Sequence, residues 1–315
     1  MLSMIIISGI LSEGCLRGID VERIFPRHIF TSTPFYLRLR ITNRKRFLSS
    51  FSLSLKEITK ISDQGEARLF RIPPRKTAHT GYMGQFEKRG RTTFKGIIIS
   101  TLFPFGFFIK SEKRTLPCEV IVYPRIDKLP VYLKEEIQAI GNISYDTKKG
   151  SGITLYNIRD YRAGENSRSI HWKSSARQSR LMIKEFEKEK ERTVNLFLVN
   201  RFGTGGSISK TDLDNFERGV ELTASLANYF LKKDYPVGLF SFEGYIPDAQ
   251  GEKHLYTILN ELALLEIKHN KGPSAQVFMG PAGHNGTNIL ILPWDYQDID
   301  RTGLIFSRIL RIGAE

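Results

Sequence analysis

The pattern of hydrophobic and polar positions changes once along the chain, near residue 125. Before that point, short runs alternate apolar and polar residues with a period of two, as in YLRLRIT (36–42) and FSLSL (51–55). A period of two puts the apolar side chains of a strand on one face, so a series of such runs predicts an all-β sandwich. Within it, the Gly-, Pro-, Lys- and Arg-rich stretch 60–90 predicts a long exposed hairpin region.

The last part of the chain combines continuous apolar runs with helical stripes. Apolar runs at 193–200, 236–242 and 287–295 predict buried strands. Apolar residues spaced three and four apart predict helices over 213–234 and 251–267. The alternation of buried strands with helices indicates a mostly parallel sheet covered by helices.

Two shorter stretches also have a helical pattern. VYLKEEIQAI (131–140) predicts a short helix ahead of a Lys- and Gly-rich linker, and TGLIFSRILRI (302–312) predicts a final helical segment. The whole chain is therefore predicted to be a two-domain α+β protein. Its predicted parts are an apolar stub (1–11), a β-sandwich domain (12–125), a linker with a signature segment (126–192) and an α/β domain (193–315).

The apolar stub, MLSMIIISGIL, has two open interpretations. It is shorter than the ~20 residues that a membrane helix needs, and it has neither a positive n-region nor a cleavage site of a signal peptide. It is compatible with the end of a membrane helix and equally with a first strand.

Charge differs between the two predicted domains. Residues 1–125 hold 22 Lys+Arg against 9 Asp+Glu, a balance of +13, whereas residues 193–315 hold 11 against 14, a balance of −3. A basic first domain favours a polyanionic partner such as a membrane surface or nucleic acid, and a solubility role is the alternative. Cys15 and Cys118 are too few for a disulfide framework and lack metal-ligand spacing, which favours a reducing compartment.

Motifs that would identify an enzyme are absent from the sequence. The chain has no phosphate loop, no dinucleotide fingerprint, no HExxH and no GxSxG. Glycine-rich FGTGGS (202–207) lacks the lysine of a phosphate loop, so a plain loop is favoured over a phosphate site. His171 has no convincing set of partners, and a structural histidine is favoured over a hydrolase that uses His171 with Asp160 or Glu165. We expect a non-enzymatic protein without a cofactor.

Residues 150–191 are the most distinctive stretch. Arginines, lysines and large aromatic residues alternate here, a combination that suits an ordered polar network or a binding surface. Both interpretations stay open from the residues alone. The candidate site residues for partner binding or for a structural network are Arg159, Asp160, Tyr161, Gly164, Glu165, Arg168, His171, Trp172, Lys173, Ser175 and Arg177.

The run RDYRAGENSRSIHWKSSAR (159–177) resembles the signature of the family numbered fifty-eight among the domains of unknown function. LMIKEFEKE behind it, FPFGFF (103–108) and VIVYPR (120–125) fit the same pattern. The matching signature positions are Arg159, Tyr161, Gly164, Arg168, Ile170, Trp172, Lys173, Ser175, Ala176 and Arg177. In this chain Glu165 and Asn166 follow the glycine where the family commonly has aspartate.

The resemblance implies an architecture and partners. Such proteins have two N-terminal membrane helices, a β-sandwich and a von Willebrand factor A-like α/β domain, and they look like partners of MoxR-type AAA ATPases alongside transglutaminase-like membrane proteins. The membrane helices are missing here, apart from the possible remnant at 1–11. The implied location is the cytoplasmic face of the inner membrane, with a soluble cytoplasmic protein as the alternative for a complete chain.

The resemblance also points to a degenerate metal site. A von Willebrand factor A-like domain binds Mg²⁺ through D-x-S-x-S after its first strand, because hard cations prefer carboxylate and hydroxyl oxygens. The matching positions here are Asn200, Phe202 and Thr204, and Asp295 is a single acid elsewhere near the same sheet edge. We therefore expect no metal.

Three functions follow as hypotheses. The preferred one is an adaptor that couples a MoxR-type ATPase to a membrane or envelope client, with the basic domain against anionic lipid headgroups. A basic nucleic-acid-binding protein is the alternative, although a high pI alone is weak evidence of specificity. An uncharacterised hydrolase is the second alternative.

Overall fold

The structure is a computed structural model that describes residues 2–59, 65–136, 149–162, 169–187, 193–202, 208–269, 286–294 and 306–312. It divides into two compact units. The first comprises Met1–Ile126 with Leu259–Leu265, and the second comprises Asp127–Ile258 with Glu266–Glu315. The fold is of mixed α/β class with several sheets.

The first unit is built on two β-sheets. One sheet has the strand order β1-β3-β6 and is antiparallel throughout, and the other has the order β2-β8-β7-β4-β5, antiparallel except for the short β2–β8 pair. The strands are β1 (Ile19–Ile24), β2 (Ile29–Phe30), β3 (Phe35–Asn43), β4 (Ser50–Thr59), β5 (Glu66–Ile72), β6 (Thr77–Gly84), β7 (Gly90–Thr101) and β8 (Lys110–Tyr123).

Residues of both sheets share one hydrophobic core. Along β3, Leu37, Leu39 and Ile41 are fully buried while the arginines between them are exposed, as the period of two predicts. Inward-facing residues of the second sheet, such as Leu55 and Ile97, belong to the same core. Burial of this apolar area from both sheets is what holds the unit together.

The predicted exposed hairpin at 60–90 was wrong for the described part of that stretch. β5 and β6 belong to different sheets, and Ala67, Ile72 and Tyr82 are core residues. Arg68 and Arg71 lie on the outer face of β5, where they leave the buried positions to apolar side chains, and the other described cations of this stretch lie between strands.

The N-terminal stub is part of a helix rather than a first strand. α1 spans Leu2–Leu16 and packs on β4, β7 and β8. The Lys45 ammonium donates to the carbonyls of Gly14 and Cys15 at 2.6 and 3.1 Å, at the C-terminal end where a helix has unpaired carbonyls. Among the described residues, no helix has both the length and the hydrophobicity needed to cross a bilayer.

A buried ion pair lies inside the first unit. The Arg23 guanidinium donates to both carboxylate oxygens of Glu57 at 2.7–3.1 Å, and the two side chains are 3% and 0% exposed. The same guanidinium donates to the carbonyls of Leu116 and Gly96, and it lies 5.4 Å from the centre of the Phe94 ring. This arrangement uses four of the five N–H donors of the arginine, as a buried charge requires partners for its polar hydrogens.

Tyr82 lies near this pair, and its hydroxyl has no hydrogen-bond partner among the residues that the structure describes. Burial, and then the charge of Glu57, raise the pKa of the Tyr82 hydroxyl far above its ordinary value of 10.0. Because the pKa of Tyr82 is higher in the folded than in the unfolded chain, its protonated hydroxyl contributes stability that is complete below pH 10. This contribution is lost as the pH rises further.

We therefore expect Tyr82→Phe to be at least as stable as the wild type at pH 7, because it removes an unpaired buried hydroxyl worth about 1 kcal/mol. Above pH 10 the free energy of unfolding of the variant should exceed that of the wild type by up to about 1.4 kcal/mol more for each pH unit. Urea unfolding between pH 7 and 11 measures both effects. Tyr36→Phe, at a half-exposed position, is the control, and an equal pH response of both variants would contradict the assignment.

The second unit contains a five-stranded, mostly parallel sheet. The strand order is β14-β13-β11-β16-β17, with only β14 antiparallel to its neighbour. The strands and helices after residue 126 are α2 (131–136), β9 (Lys149–Asp160), α3 (Trp172–Gln178), β10 (Met182–Glu187), β11 (Val194–Leu198), β12 (Arg201–Phe202), α4 (Lys210–Leu231), β13 (Val237–Phe240), β14 (Tyr245–Ala249), α5 (Glu252–Leu264), β15 (Lys268–His269), β16 (Thr287–Leu292) and β17 (Arg308–Arg311). The part of α5 from Leu259 onward belongs to the first unit.

The long helix of this unit follows its sequence signals closely. Ser209 caps α4, and its hydroxyl and the Asp212 carboxylate form a capping box that satisfies the first backbone N–H groups. Phe216, Val220 and Ala224 are buried on one stripe, and the helix packs on β11, β13 and β16. The apolar period of the sequence therefore positions this helix on the sheet.

The predicted C-terminal helix was wrong where the structure describes it. Residues 308–311 form β17, which pairs in parallel with β16. Burial alternates along this segment, as in a strand: Arg308 and Leu310 are half-buried, whereas Ile309 and Arg311 are exposed. Four residues of mixed pattern fit a helix stripe and an edge strand equally well from sequence alone.

Candidate functional site

The signature segment folds around a two-stranded antiparallel sheet with a short helix. β9 pairs with β10, placing Asp160 opposite Met182 and Arg159 opposite Ile183. α3 lies between the two strands in sequence, and a bridge from Ile170 to Ile183 ties its N-terminal side to β10. The segment predicted as a linker is therefore a structured unit of strand, helix and strand.

His171 starts the helix of this unit. It is the N-cap of α3, and its Nδ1 accepts a hydrogen bond from the backbone N–H of Ser174 at 3.1 Å. The Ser174 hydroxyl lies 2.7 Å from the same nitrogen. An Nδ1 that accepts from a backbone amide is the neutral, unprotonated nitrogen of the ring, so this atom serves the helix start.

Ser175 joins the helix to the strand that follows it. Its buried hydroxyl accepts from the backbone N–H of Met182 at 2.8 Å and lies 3.1 Å from the carbonyl of His171. The backbone N–H of His171 in turn donates to the carbonyl of Met182 at 2.8 Å. These bonds pair buried polar groups across a tight turn, where an unpaired group would cost about 1–3 kcal/mol.

The exposed side chains of α3 include an indole and two cations. The Trp172 side chain is 67% exposed, and Lys173 and Arg177, which are four residues apart, are exposed on an adjoining side of the helix. Arg180 and the 47%-exposed Leu181 follow directly after the helix. A large exposed indole among cations is unusual on a monomer surface and is typical of interaction sites.

Of the acidic candidates, Asp160 forms an exposed ion pair with Arg180 at 3.2 Å. Arg159 donates to the backbone carbonyl of Asp160 at 2.8 Å. The backbone N–H of Tyr161 donates to the carbonyl of Leu181 at 2.8 Å. Gly164, Glu165, Arg168, Thr204 and Asp295 lie outside the described residues. The predicted residues thus differ in role. His171 and Ser175 hold α3 in place, whereas Asp160, Trp172, Lys173 and Arg177 are exposed.

We name the exposed set Trp172, Lys173, Arg177, Arg180 and Leu181 the α3 face. Arg180 and Leu181 were missed in the sequence, although they follow the signature directly. No residue type in the sequence marks this helix end: Ser179 has a left-handed backbone (φ 50°), a conformation that usually calls for glycine or asparagine.

The other candidate position lies at the end of β11. Asn200 is fully buried, and its Nδ2 donates to the carbonyl of Glu266 at 3.0 Å. Its Oδ1 accepts from the backbone N–H of Phe242 at 2.9 Å. The amide therefore connects two other segments of the second unit, and both ends of the side chain are used in doing so.

Aromatic side chains fill the same end of the sheet. β11 and β16 are neighbours where the strand order reverses, the place at which open α/β sheets bind ligands. Here the Trp294 indole packs against the Phe202 ring at 5.2 Å and donates from Nε1 to the carbonyl of Arg201 at 3.2 Å. The Arg201 guanidinium lies 4.5 Å from the centre of the Phe242 ring. These contacts place three aromatic side chains and one guanidinium among the described residues at this edge.

Metal binding finds little support at this edge. Within the described parts of the chain, no group of three or more His, Cys, Asp or Glu side chains is arranged to hold a metal ion. Asn200 directs its amide N–H at a carbonyl, and Phe202 provides no oxygen. The donor set at these two positions does not suit a hard cation.

Comparison with known proteins shows that part of the chain is similar to a sequence family. The family described as "Protein of unknown function DUF58" matches residues 157–290, so the resemblance seen in the signature is confirmed over this stretch. "Uncharacterized protein YeaD" of Bacillus subtilis (strain 168) is 30% identical over 181 residues. That region is 56% of this chain and 43% of the relative, so the chain spans less than half of that protein's length.

Solved structures give only remote likenesses. The CARDB domain of PF1109 from Pyrococcus furiosus is 8% identical, covering 33% of this chain and 94% of that domain, with a TM-score of 0.23. Spo0M, a sporulation control protein from Bacillus subtilis, is 12% identical, covering 41% of this chain and 56% of that one, with a TM-score of 0.21.

Proposed function

We propose that this protein is a non-enzymatic adaptor and that the α3 face is its docking surface for a protein partner. The observation that carries the proposal is that some residues of the signature segment hold its helix in place while another is left exposed. The polar atoms of half-buried His171 and buried Ser175 are used in holding the helix, while Trp172 is left 67% exposed among cations. Exposed tryptophan and arginine are the residue types that most often dominate binding energy at interfaces.

An enzymatic role has weaker support than a binding role. The Ser174 hydroxyl and His171 Nδ1 lie 2.7 Å apart, which superficially resembles a nucleophile and its base. The same nitrogen accepts the Ser174 backbone N–H as a helix cap, and Asp160 pairs with Arg180. A catalytic set needs a base free to take a proton and an acid that orients it, so local capping explains this contact better.

The partner we propose is a MoxR-type AAA ATPase, because this is the partner that the resemblance of the signature segment implies. The basic α3 face fits an acidic patch on such a partner, because complementary charge steers association. The parallel sheet of the second unit, with α4 packed on it, supports a von Willebrand factor A-like fold. A location on the cytoplasmic side of a membrane, beside transglutaminase-like membrane proteins, is part of the same proposal.

The proposal predicts a large loss of binding for Trp172→Ala. Removing an indole at the centre of an interface costs about 2 kcal/mol or more, which is about a 30-fold weaker complex. Calorimetric titration with the purified MoxR-type ATPase of the same organism measures it. The variant should melt at the wild-type temperature, since the side chain is 67% exposed.

Tyr132→Ala is the matched control, because Tyr132 is 66% exposed and belongs to the same unit. We expect it to bind the ATPase like the wild type. If Trp172→Ala binds as tightly as Tyr132→Ala, the α3 face is not the docking surface. Salt-sensitive binding of DNA or RNA in place of the ATPase would favour the nucleic-acid alternative.

A further inference from the structure

Helix α1 buries small and polar side chains and exposes large apolar ones, which is unfavourable in water. The residues turned toward the rest of the unit include Ser8, Ser12 and Cys15, which are 3–5% exposed. The bulky apolar side chains point outward, with exposed fractions of 40–66%: Met4, Ile5, Ile6, Ile7, Ile10 and Leu11. A surface helix in water has the reverse distribution.

Small and hydroxyl-bearing residues mediate the packing of this helix. Ser8 and Ser12 are four residues apart on the protein-facing side, a spacing that lets a helix approach its neighbour closely. The Ser12 hydroxyl lies 2.7 Å from the carbonyl of Ser8 and 2.6 Å from the carbonyl of Phe103. Helices within lipid use such small residues and local hydroxyl bonds on their packed side and turn bulky side chains outward.

A second element extends the same apolar surface. The loop between β7 and β8 exposes five large apolar side chains at 45–68%: Leu102, Phe105, Phe107, Phe108 and Ile109. The Ser12–Phe103 contact fixes this loop to α1. Between them lies a groove of about 300 Å³, lined by Ile5, Gly9, Phe108 and Ile109, with Lys110 at one side. Isolated exposed apolar residues are ordinary, but two adjoining elements form an extended patch.

Charge around this patch identifies what covers it. No charged residue occurs between Leu2 and Ser12. Three cations and one carboxylate lie at the C-terminal end of α1: Lys45 donates to the helix carbonyls, and Arg17 and Lys110 both pair with Glu13. An uncharged apolar region bordered by Lys and Arg matches the boundary between acyl chains and anionic headgroups. A partner protein would not require that border.

We propose that the outer face of α1 and the loop 102–109 together insert into an anionic lipid bilayer, with an acyl chain in the groove between them. The described part of this surface is α1, which is about 22 Å long, with the loop 102–109 beside it. The inference deepens the proposed membrane location and does not depend on the α3 face or on the ATPase.

Vesicle binding tests this inference with the whole chain. Flotation with vesicles of neutral lipid, and of neutral lipid with one-third phosphatidylglycerol, is compared for the wild type, Phe107→Ser/Phe108→Ser and Ile6→Ser/Ile10→Ser. We expect each double variant to bind the anionic vesicles at least tenfold more weakly. Met83→Ser is the control, because Met83 is 58% exposed, like Phe108 at 57%, and lies on β6 in the other sheet.

A depth measurement separates insertion from adhesion. Phe108→Trp should show blue-shifted emission that brominated acyl chains quench, whereas Met83→Trp should not. Three results would overturn the inference: wild-type affinity in both serine double variants, no quenching at position 108, or a dimer in solution that the same variants convert to monomer. The last result would show that a second copy of the chain covers this face. Loss of ATPase binding by Trp172→Ala would be unaffected in every case.

Discussion

Replacing Asn200 with aspartate should lower the free energy of unfolding of the second unit by about 3 kcal/mol or more at pH 7. The side chain is fully buried, and its Nδ2 donates to the carbonyl of Glu266. A carboxylate oxygen in that place would face the carbonyl oxygen without a proton between them. Burial without a cation also raises the pKa of such a carboxyl group, since the charged form is disfavoured.

The pH dependence gives the sign of this effect. A carboxyl whose folded pKa is raised contributes stability below its unfolded pKa of about 3.9 and loses it as the pH rises. The difference in the free energy of unfolding between Asn200→Asp and the wild type should therefore become smaller as the pH falls toward 4. Asn200→Ala removes both hydrogen bonds without adding charge, so its cost of about 2 kcal/mol should not change with pH.

The same variant tests whether the edge of the sheet is a lost metal site. We expect millimolar Mg²⁺ to leave the melting temperature of Asn200→Asp unchanged, because Phe202 offers no oxygen and Trp294 fills the adjoining space. A rise in the melting temperature of this variant with Mg²⁺, absent in the wild type, would show that one carboxylate suffices to rebuild the site.

Glu57→Ala should destabilise the first unit by about 3–5 kcal/mol, because it leaves the buried Arg23 guanidinium without its counter-charge. The carbonyls of Leu116 and Gly96 remain as acceptors, but they carry no charge. Equilibrium unfolding in urea measures the loss. The double variant Arg23→Leu/Glu57→Leu should recover most of it, since an apolar pair can replace a buried ion pair at little cost.

An exposed ion pair in the same unit is the control. Arg40 and Glu22 lie on adjoining strands at 2.9 Å, with side chains 47% and 60% exposed. Glu22→Ala should change the free energy of unfolding by less than about 1 kcal/mol, because water already solvates both groups. Equal costs for Glu57→Ala and Glu22→Ala would mean that burial does not decide the strength of these pairs.

Much of the fold follows from hydrophobic periodicity. β3 and α4 were predictable, because each has a long run of one period and a clear boundary, the capping box at Ser209 in the case of α4. The strand at 308–311 was not, because four alternating residues beside a helical-looking run carry too little pattern. β9 was missed because GSGITLYNIRD begins with glycines and serine, and only its pairing with β10 makes it a strand.

The candidate site was predictable as a segment and not as a surface. The signature identified His171, Trp172 and Ser175 together, but their spacing alone left open which of them are buried. Tertiary contacts decide which residue is buried: the Ser175 hydroxyl is buried against the backbone of Met182, while Trp172, three residues earlier, is left exposed. Sequence also gave no sign that α1 would bury its serines, since its apolar residues surround the helix.

The central claim is that the α3 face recruits a protein partner by aromatic contact and positive charge. Its most direct test is the association kinetics of the purified MoxR-type ATPase with Lys173→Glu/Arg177→Glu, compared with Lys253→Glu elsewhere in the second unit. We predict that the double variant associates at least tenfold more slowly at low salt, because like charges then oppose the encounter. Lys253→Glu should keep the wild-type rate. Equal association rates for all three proteins, or no complex with the wild type, would contradict the claim.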